Sequence, residues 1–145
     1  MTNLPEELIP LKRFHGHLGP YVVIGYRMGK LARERFAGKM SAVVFTGRQP
    51  PMSCLIDGIQ FTTGCTMGKN NIFVRDGHLP VVHFIDSSKT LEVRLLDSER
   101  ERIDSIMTKH NEEQLSVEIL KADEKDIFWI TEVGSGLPER LMKLK

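Results

Sequence analysis

Five side chains in the first half of this sequence carry ligand and proton-transfer chemistry: His15, His17, Cys54, Asp57 and Cys65. His15 and His17 sit in Phe14-His-Gly-His-Leu-Gly-Pro20, where Gly16 and Gly19 let the backbone turn sharply. Two imidazoles on such a loop make a metal or acid–base pair, or one of them caps the helix that follows. In Met52-Ser-Cys-Leu-Ile-Asp-Gly-Ile-Gln60, the residues Cys54, Asp57 and Gln60 recur at every third position. On a helix that spacing puts a thiol, a carboxylate and an amide on one face. The bland use of Cys54 is as a small buried hydrophobe. A third segment, Thr62-Thr-Gly-Cys-Thr-Met-Gly-Lys-Asn70, has the glycines and lysine of a phosphate loop without its spacing. Asn70 also stands where Ser or Thr would hold magnesium. What remains is a turn of backbone N–H groups beside Cys65, Thr66 and Lys69, suited to an anion or to lowering a thiol pKa.

Thiolate and imidazole are the ligands preferred by zinc and other borderline-soft divalent metals. Structural zinc sites usually pair their ligands within a few residues, whereas Cys54 and Cys65 are eleven apart and the histidines lie on another segment. Dispersed ligands suit a functional site that keeps a coordination position open. A Cys54–Cys65 redox pair is a further use of the same thiols, and the absence of Cys-x-x-Cys argues against it.

These groups need a scaffold, and the composition supplies one. The chain has 145 residues, 41% hydrophobic and 27% charged, with a net charge of +1. Together with a mean hydropathy of −0.20, this describes one soluble globular domain over residues 1–145 and excludes disorder, collagen and coiled coil. No apolar run nears the roughly 20 residues of a membrane helix, and the N-terminus has no signal-peptide layout. The expected location is the cytoplasm, where two thiols stay reduced. Residues 1–85 carry ten Lys/Arg against five Asp/Glu, and residues 86–126 carry seven against twelve. The basic half suits an anionic ligand, while the lack of a basic run or binding module argues against nucleic acid.

Helices are expected over Leu4–Phe14 (interrupted at Pro10), Tyr21–Phe36 with Gly38 as its cap, and Met52–Thr62 with Gly64 as its stop. A capping box at Ser98-x-x-Glu101 opens a helix to about Lys109, and Asn111 caps another through Lys121. Strands are expected at Ser41–Thr46, Asn71–Arg75, Val81–Asp86, Leu91–Leu96 and Ile127–Val133, with Asp76-Gly77 as a hairpin turn between the second and third. Neighbouring strands without intervening helices indicate α+β, a mixed or antiparallel sheet packed with several helices.

Phe14-His-Gly-His-Leu-Gly-Pro20, Gly25-Tyr-Arg-Met-Gly29, Cys54-x-x-Asp57-Gly-Ile-Gln60 and Gly64-Cys-Thr-x-Gly-Lys69 together resemble the FmdE family, named for formylmethanofuran dehydrogenase, over about residues 8–135. The resemblance implies an α+β core, a homodimer, and a site where His and Cys gather around a metal, commonly zinc. It also implies an association with C1 metabolism and methanogenesis around a molybdenum or tungsten dehydrogenase. Carried onto this chain, His17, Cys54 and Cys65 match the metal positions. His15, Asp57, Thr66 and Lys69 match the polar lining: Asp57 or His15 as acid–base group, Lys69 to balance negative charge, and Thr66 toward a cofactor. The implied activity is metal binding, in an enzyme for a small anionic or carbonyl-bearing substrate or in an accessory protein that docks on the dehydrogenase or delivers metal or cofactor to it. Two features depart from the pattern. Gly19 replaces a Cys that many members have there, and no Cys-rich zinc finger follows the core before Lys145.

Overall fold

The computed structural model of the chain describes residues 3–134. Its helices are α1 (Leu8–His15), α2 (Pro20–Arg35), α3 (Leu55–Thr63), α4 (Asp97–Ile106), α5 (Glu112–Lys121) and the single turn α6 (Glu124–Ile127). Its strands are β1 (Ser41–Val44), β2 (Ile72–Val74), β3 (Val81–Ile85), β4 (Lys89–Leu95) and β5 (Phe128–Gly134). The strands form one sheet in the order β2-β1-β3-β4-β5. β1 and β2 run parallel, joined through α3, and every other pair is antiparallel. The fold is α+β, as expected. Residues 135–145 of the expected domain lie outside the described part. No described helix is long and apolar enough to cross a membrane.

Period-two alternation sends Ala42, Val44, Val82, Phe84, Leu91 and Val93 to one face of the sheet, where they are fully buried with Val22, Met28, Leu55 and Ile59 of the helices. The opposite face carries His83 and Glu92, directly paired across β3 and β4, with Nε2 and Oε1 3.1 Å apart. The all-apolar opening of α2 is buried from Tyr21 to Ile24, as its composition suggested.

Several local expectations yield to tertiary structure. Pro10 does not interrupt α1, because it is third in the helix, where no intrahelical N–H bond is lost. α2 ends at an extended Phe36 whose N–H bonds Ala32, two residues before Gly38. Asp76-Gly77 joins no hairpin, since β1 lies between β2 and β3. Instead this segment packs against the chain leaving β1, with Gly47 N–H donating to Arg75 and Leu79 N–H to Phe45. Ser98 and Glu101 both lie inside α4, whose first turn is anchored on the Leu96 carbonyl. Asn111 does sit at the cap position of α5, but its side chain turns back to Thr108 N–H and the Ile106 carbonyl. Gly64 stops α3 in the left-handed conformation, φ +73°, as expected.

The closest packing joins α2 to α3. A Cβ on Gly25 would stand 2.0 Å from the Leu55 carbonyl oxygen, and one on Gly58 would stand 2.2 Å from that of Val22. The two helices therefore touch backbone to backbone, which sets the start of α3 against the start of α2. Arg27 of α2 donates to the carbonyls of Ile119 and Ala122, tying the end of α5 to the same pair. Those contacts hold three segments of the site together.

Candidate functional site

His15 is the last residue of α1, and Gly16 leaves the helix in a left-handed turn, φ +102°, with its N–H bonded to Lys12. The chain reverses through His17, is anchored by the fully buried Leu18, and enters α2 at Pro20. Cys54 closes a 3-10 turn, Met52–Cys54, directly before α3, and Asp57 lies in the first turn of α3. These elements bring the two motifs into contact. His15 Nδ1 lies 2.5 Å from Asp57 Oδ2, and the rings of His15 and His17 are 4.7 Å apart. His17 Nδ1 in turn lies 3.8 Å from Glu112 Oε1 at the start of α5. His15, His17, Cys54 and Glu112 line one cleft of about 60 Å³, walled by Tyr21, Val22, Pro51 and Met107.

The other ring nitrogen of His15 decides what this cleft can do. Its side chain is only 9% exposed, and Nε2 is buried without a hydrogen-bond partner. Buried polar atoms are almost always satisfied, so an orphan of this kind marks a missing partner. With Nδ1–H donating to the Asp57 carboxylate, Nε2 holds a lone pair. A carboxylate that fixes the tautomer and raises the basicity of an imidazole is the usual support behind a metal-ligating histidine. The thiol of Cys54 stands at the same cleft, its pKa pushed upward by burial first and then by the charges of Asp57 and Glu112.

That shift predicts slow chemistry at Cys54 in the metal-free protein. Alkylation of the native chain with iodoacetamide should modify Cys54 first, because Cys65 is only 1% exposed. The rate should rise steeply with pH and reach its plateau above the range of an unperturbed thiol. Asp57→Asn should move that profile to lower pH, because it removes a charge that opposes the thiolate. A profile unmoved by Asp57→Asn would leave burial as the whole cause.

Two expected members of the site lie elsewhere. Cys65 is outside the lining of this cleft: its thiol donates to the Met40 carbonyl at 3.4 Å within the hydrophobic core. The reason is geometric, since Cys54 and Cys65 bracket the nine residues of α3, a rod roughly 13 Å long. Thr66 and Lys69 occupy that far end too, where Thr66 Oγ1 accepts from Lys69 N–H and Thr66 N–H donates to Asn71. Gln60 shares its face with Asp57 as the spacing required, donating to it at 3.5 Å and accepting from Met67 N–H. Glu112 was missed by sequence reasoning. It reads as one carboxylate of an acidic helix, and only the fold brings it to His17. Among the described residues, no three His, Cys, Asp or Glu side chains are already gathered to hold a metal ion.

Comparison with known proteins adds three findings. The sequence model of a family described as "FmdE, Molybdenum formylmethanofuran dehydrogenase operon" matches residues 14–135. A curated protein of Archaeoglobus fulgidus, described as a probable S-adenosyl-L-methionine-binding protein, is 35% identical over 80 residues, covering 52% of this chain and 22% of that protein. The chain thus spans about a fifth of the length of that relative. The crystal structure of an FmdE-like protein of tungsten formylmethanofuran dehydrogenase from Syntrophus aciditrophicus superposes with a TM-score of 0.69 at 24% identity, covering 100% of this chain and 82% of that one. At that identity the likeness is one of fold.

Proposed function

The chain belongs to the FmdE family, and from that premise we propose that it is a metal-binding protein of C1 metabolism that works alongside a molybdenum or tungsten formylmethanofuran dehydrogenase. The metal is zinc or a similar borderline-soft divalent ion, and His15, His17 and Cys54 are the residues that would hold it. The single observation behind this reading is the buried, unpartnered Nε2 of His15, backed by Asp57 and facing the cleft that Cys54 and His17 also line. Two imidazoles and a thiol are a donor set that zinc favours. Cys65, which the family motif pairs with them, is left to the core by its place beyond α3.

Each neighbour has a definable task. Asp57 holds the His15 proton on Nδ1 and keeps the ring oriented. Glu112 lies close enough to His17 to steady its half-exposed ring. Val22, Pro51 and Met107 screen the cleft from bulk water, which strengthens charge interactions inside it. A bound divalent ion would supply Lewis acidity and stabilise the Cys54 thiolate that the apo environment disfavours. A cleft of about 60 Å³ accommodates an ion and a water or two, far less than the roughly 300–1,000 Å³ of a substrate pocket. This favours metal handling, in an accessory or delivery role, over turnover of a substrate at this cleft.

The test is direct. Metal-free full-length protein titrated with Zn²⁺ should take up one ion per chain, and the uptake should release protons because the thiol must ionise. Absence of saturable uptake by anaerobically purified protein would overturn the proposal.

A further inference from the structure

A second cleft, larger and of opposite character, opens at the other end of α3. It encloses about 450 Å³ between the last turn of α2, residues 36–40, and the turn from Thr63 to Asn71. Three cations line it, Arg33, Lys39 and Lys69, and no carboxylate does. Elsewhere Lys12, Lys30, Arg35, Lys89 and Arg102 pair with Asp or Glu. None of the three cations here has such a partner among the described residues.

The ordinary role of basic residues beside helix ends is to complement the macrodipole, and both α2 and α3 end at this cleft. That role is too small to account for the charge. Each helix C-terminus is worth roughly half an elementary charge, so two of them offset about one of three cations. About two positive charges remain facing an open, polar-lined space. Gly64 contributes no side chain there, and Lys69 Nζ sits 3.2 Å from where its Cβ would be, so the ammonium lies at the wall of the cleft. Asn71 accepts from Thr66 N–H through its side-chain oxygen, which leaves its amide nitrogen available to donate.

We infer that this cleft is a binding site for a doubly charged anionic group, a phosphoryl or dicarboxylate group, held by Arg33, Lys39 and Lys69. The residual charge matches a dianion, and the volume admits a small molecule bearing one. The site is separate from the His15–Cys54 cleft and stands without it.

Calorimetric titration of the full-length protein with inorganic phosphate and, separately, with succinate tests the inference, each referenced to sodium chloride at equal ionic strength. Saturable binding of at least one is expected, with amide shifts at Gly64 and Asn71 in the NMR spectrum. A phosphoryl site answers to phosphate and a dicarboxylate site to succinate. Lys39→Met with Lys69→Met should weaken binding tenfold or more, while Lys12→Met at the far side leaves it unchanged. The melting temperature of the double variant, measured without ligand, shows whether it is folded. A response that does not saturate, that chloride reproduces, or that a folded double variant retains would overturn the inference. So would binding confined to an oligonucleotide probe, which would mark a nucleic-acid surface instead.

Discussion

Gly58→Ala is expected to lower the melting temperature of this protein by about 10 °C, which corresponds to roughly 3 kcal/mol for a domain of this size. The added methyl would meet the Val22 carbonyl oxygen at 2.2 Å and the Tyr26 amide nitrogen at 2.4 Å. Both are backbone atoms, so no change of rotamer makes room. α2 and α3 must separate, and the apolar side chains along their contact lose packing together. Gly38→Ala is the matching control, because nothing lies within 4 Å of its Cβ and its backbone is not left-handed. That variant should melt within a degree or two of wild type, or slightly higher. Thermal unfolding followed by circular dichroism decides the matter. A Gly58→Ala variant as stable as Gly38→Ala would mean that the backbone contact between α2 and α3 is not present in solution.

The second large effect concerns the metal. Asp57→Asn should cost about 10–100-fold in zinc affinity, the usual consequence of losing an outer-shell carboxylate behind a histidine. His15→Ala and Cys54→Ala remove donor atoms themselves and should cost more. Cys65→Ala should leave affinity unchanged, because that thiol is bonded to the Met40 carbonyl in the core and not directed to the cleft. Competition against a chromophoric chelator gives the affinities, and circular dichroism confirms that each variant is folded. The comparison of the two cysteines separates two ligand sets: His17, Cys54 and Cys65 from the family motif, and His15, His17 and Cys54 from the geometry. Equal loss in Cys54→Ala and Cys65→Ala would restore the former.

Much of this was legible before any coordinates. The Cys54–Asp57–Gln60 face follows from helical spacing alone, and the end of α3 follows from Gly64, whose left-handed conformation few residues but glycine adopt readily. The α+β class follows from adjacent strands without helices between them. Strand order was not legible. Asp76-Gly77 carries a local hairpin signal, yet β2 lies parallel to β1, because pairing is decided by where α3 returns the chain and not by the turn itself. The site was half legible for the same reason. His15 and Asp57 are each visible in a motif, but their 2.5 Å contact depends on the glycine seam between α2 and α3. Glu112 has no local mark at all, being 95 residues along the chain from His17. The separation of Cys65 from Cys54 needed only the length of α3, and a helix rise applied to the spacing would have shown it.

The cleft also has a place in time as well as in space. Its walls come from the end of α1, the turn before α3 and the start of α5, segments that stretch from His15 to Glu112. Contacts so distant in sequence carry a large loop-closure entropy and form after local ones such as the β3–β4 hairpin. Groups that meet only after the rate-limiting barrier influence escape from the native state more than arrival at it. A ligand seated between His15 and Cys54 would therefore act as a latch on unfolding. It would prolong the lifetime of the folded chain and leave the speed of folding nearly untouched.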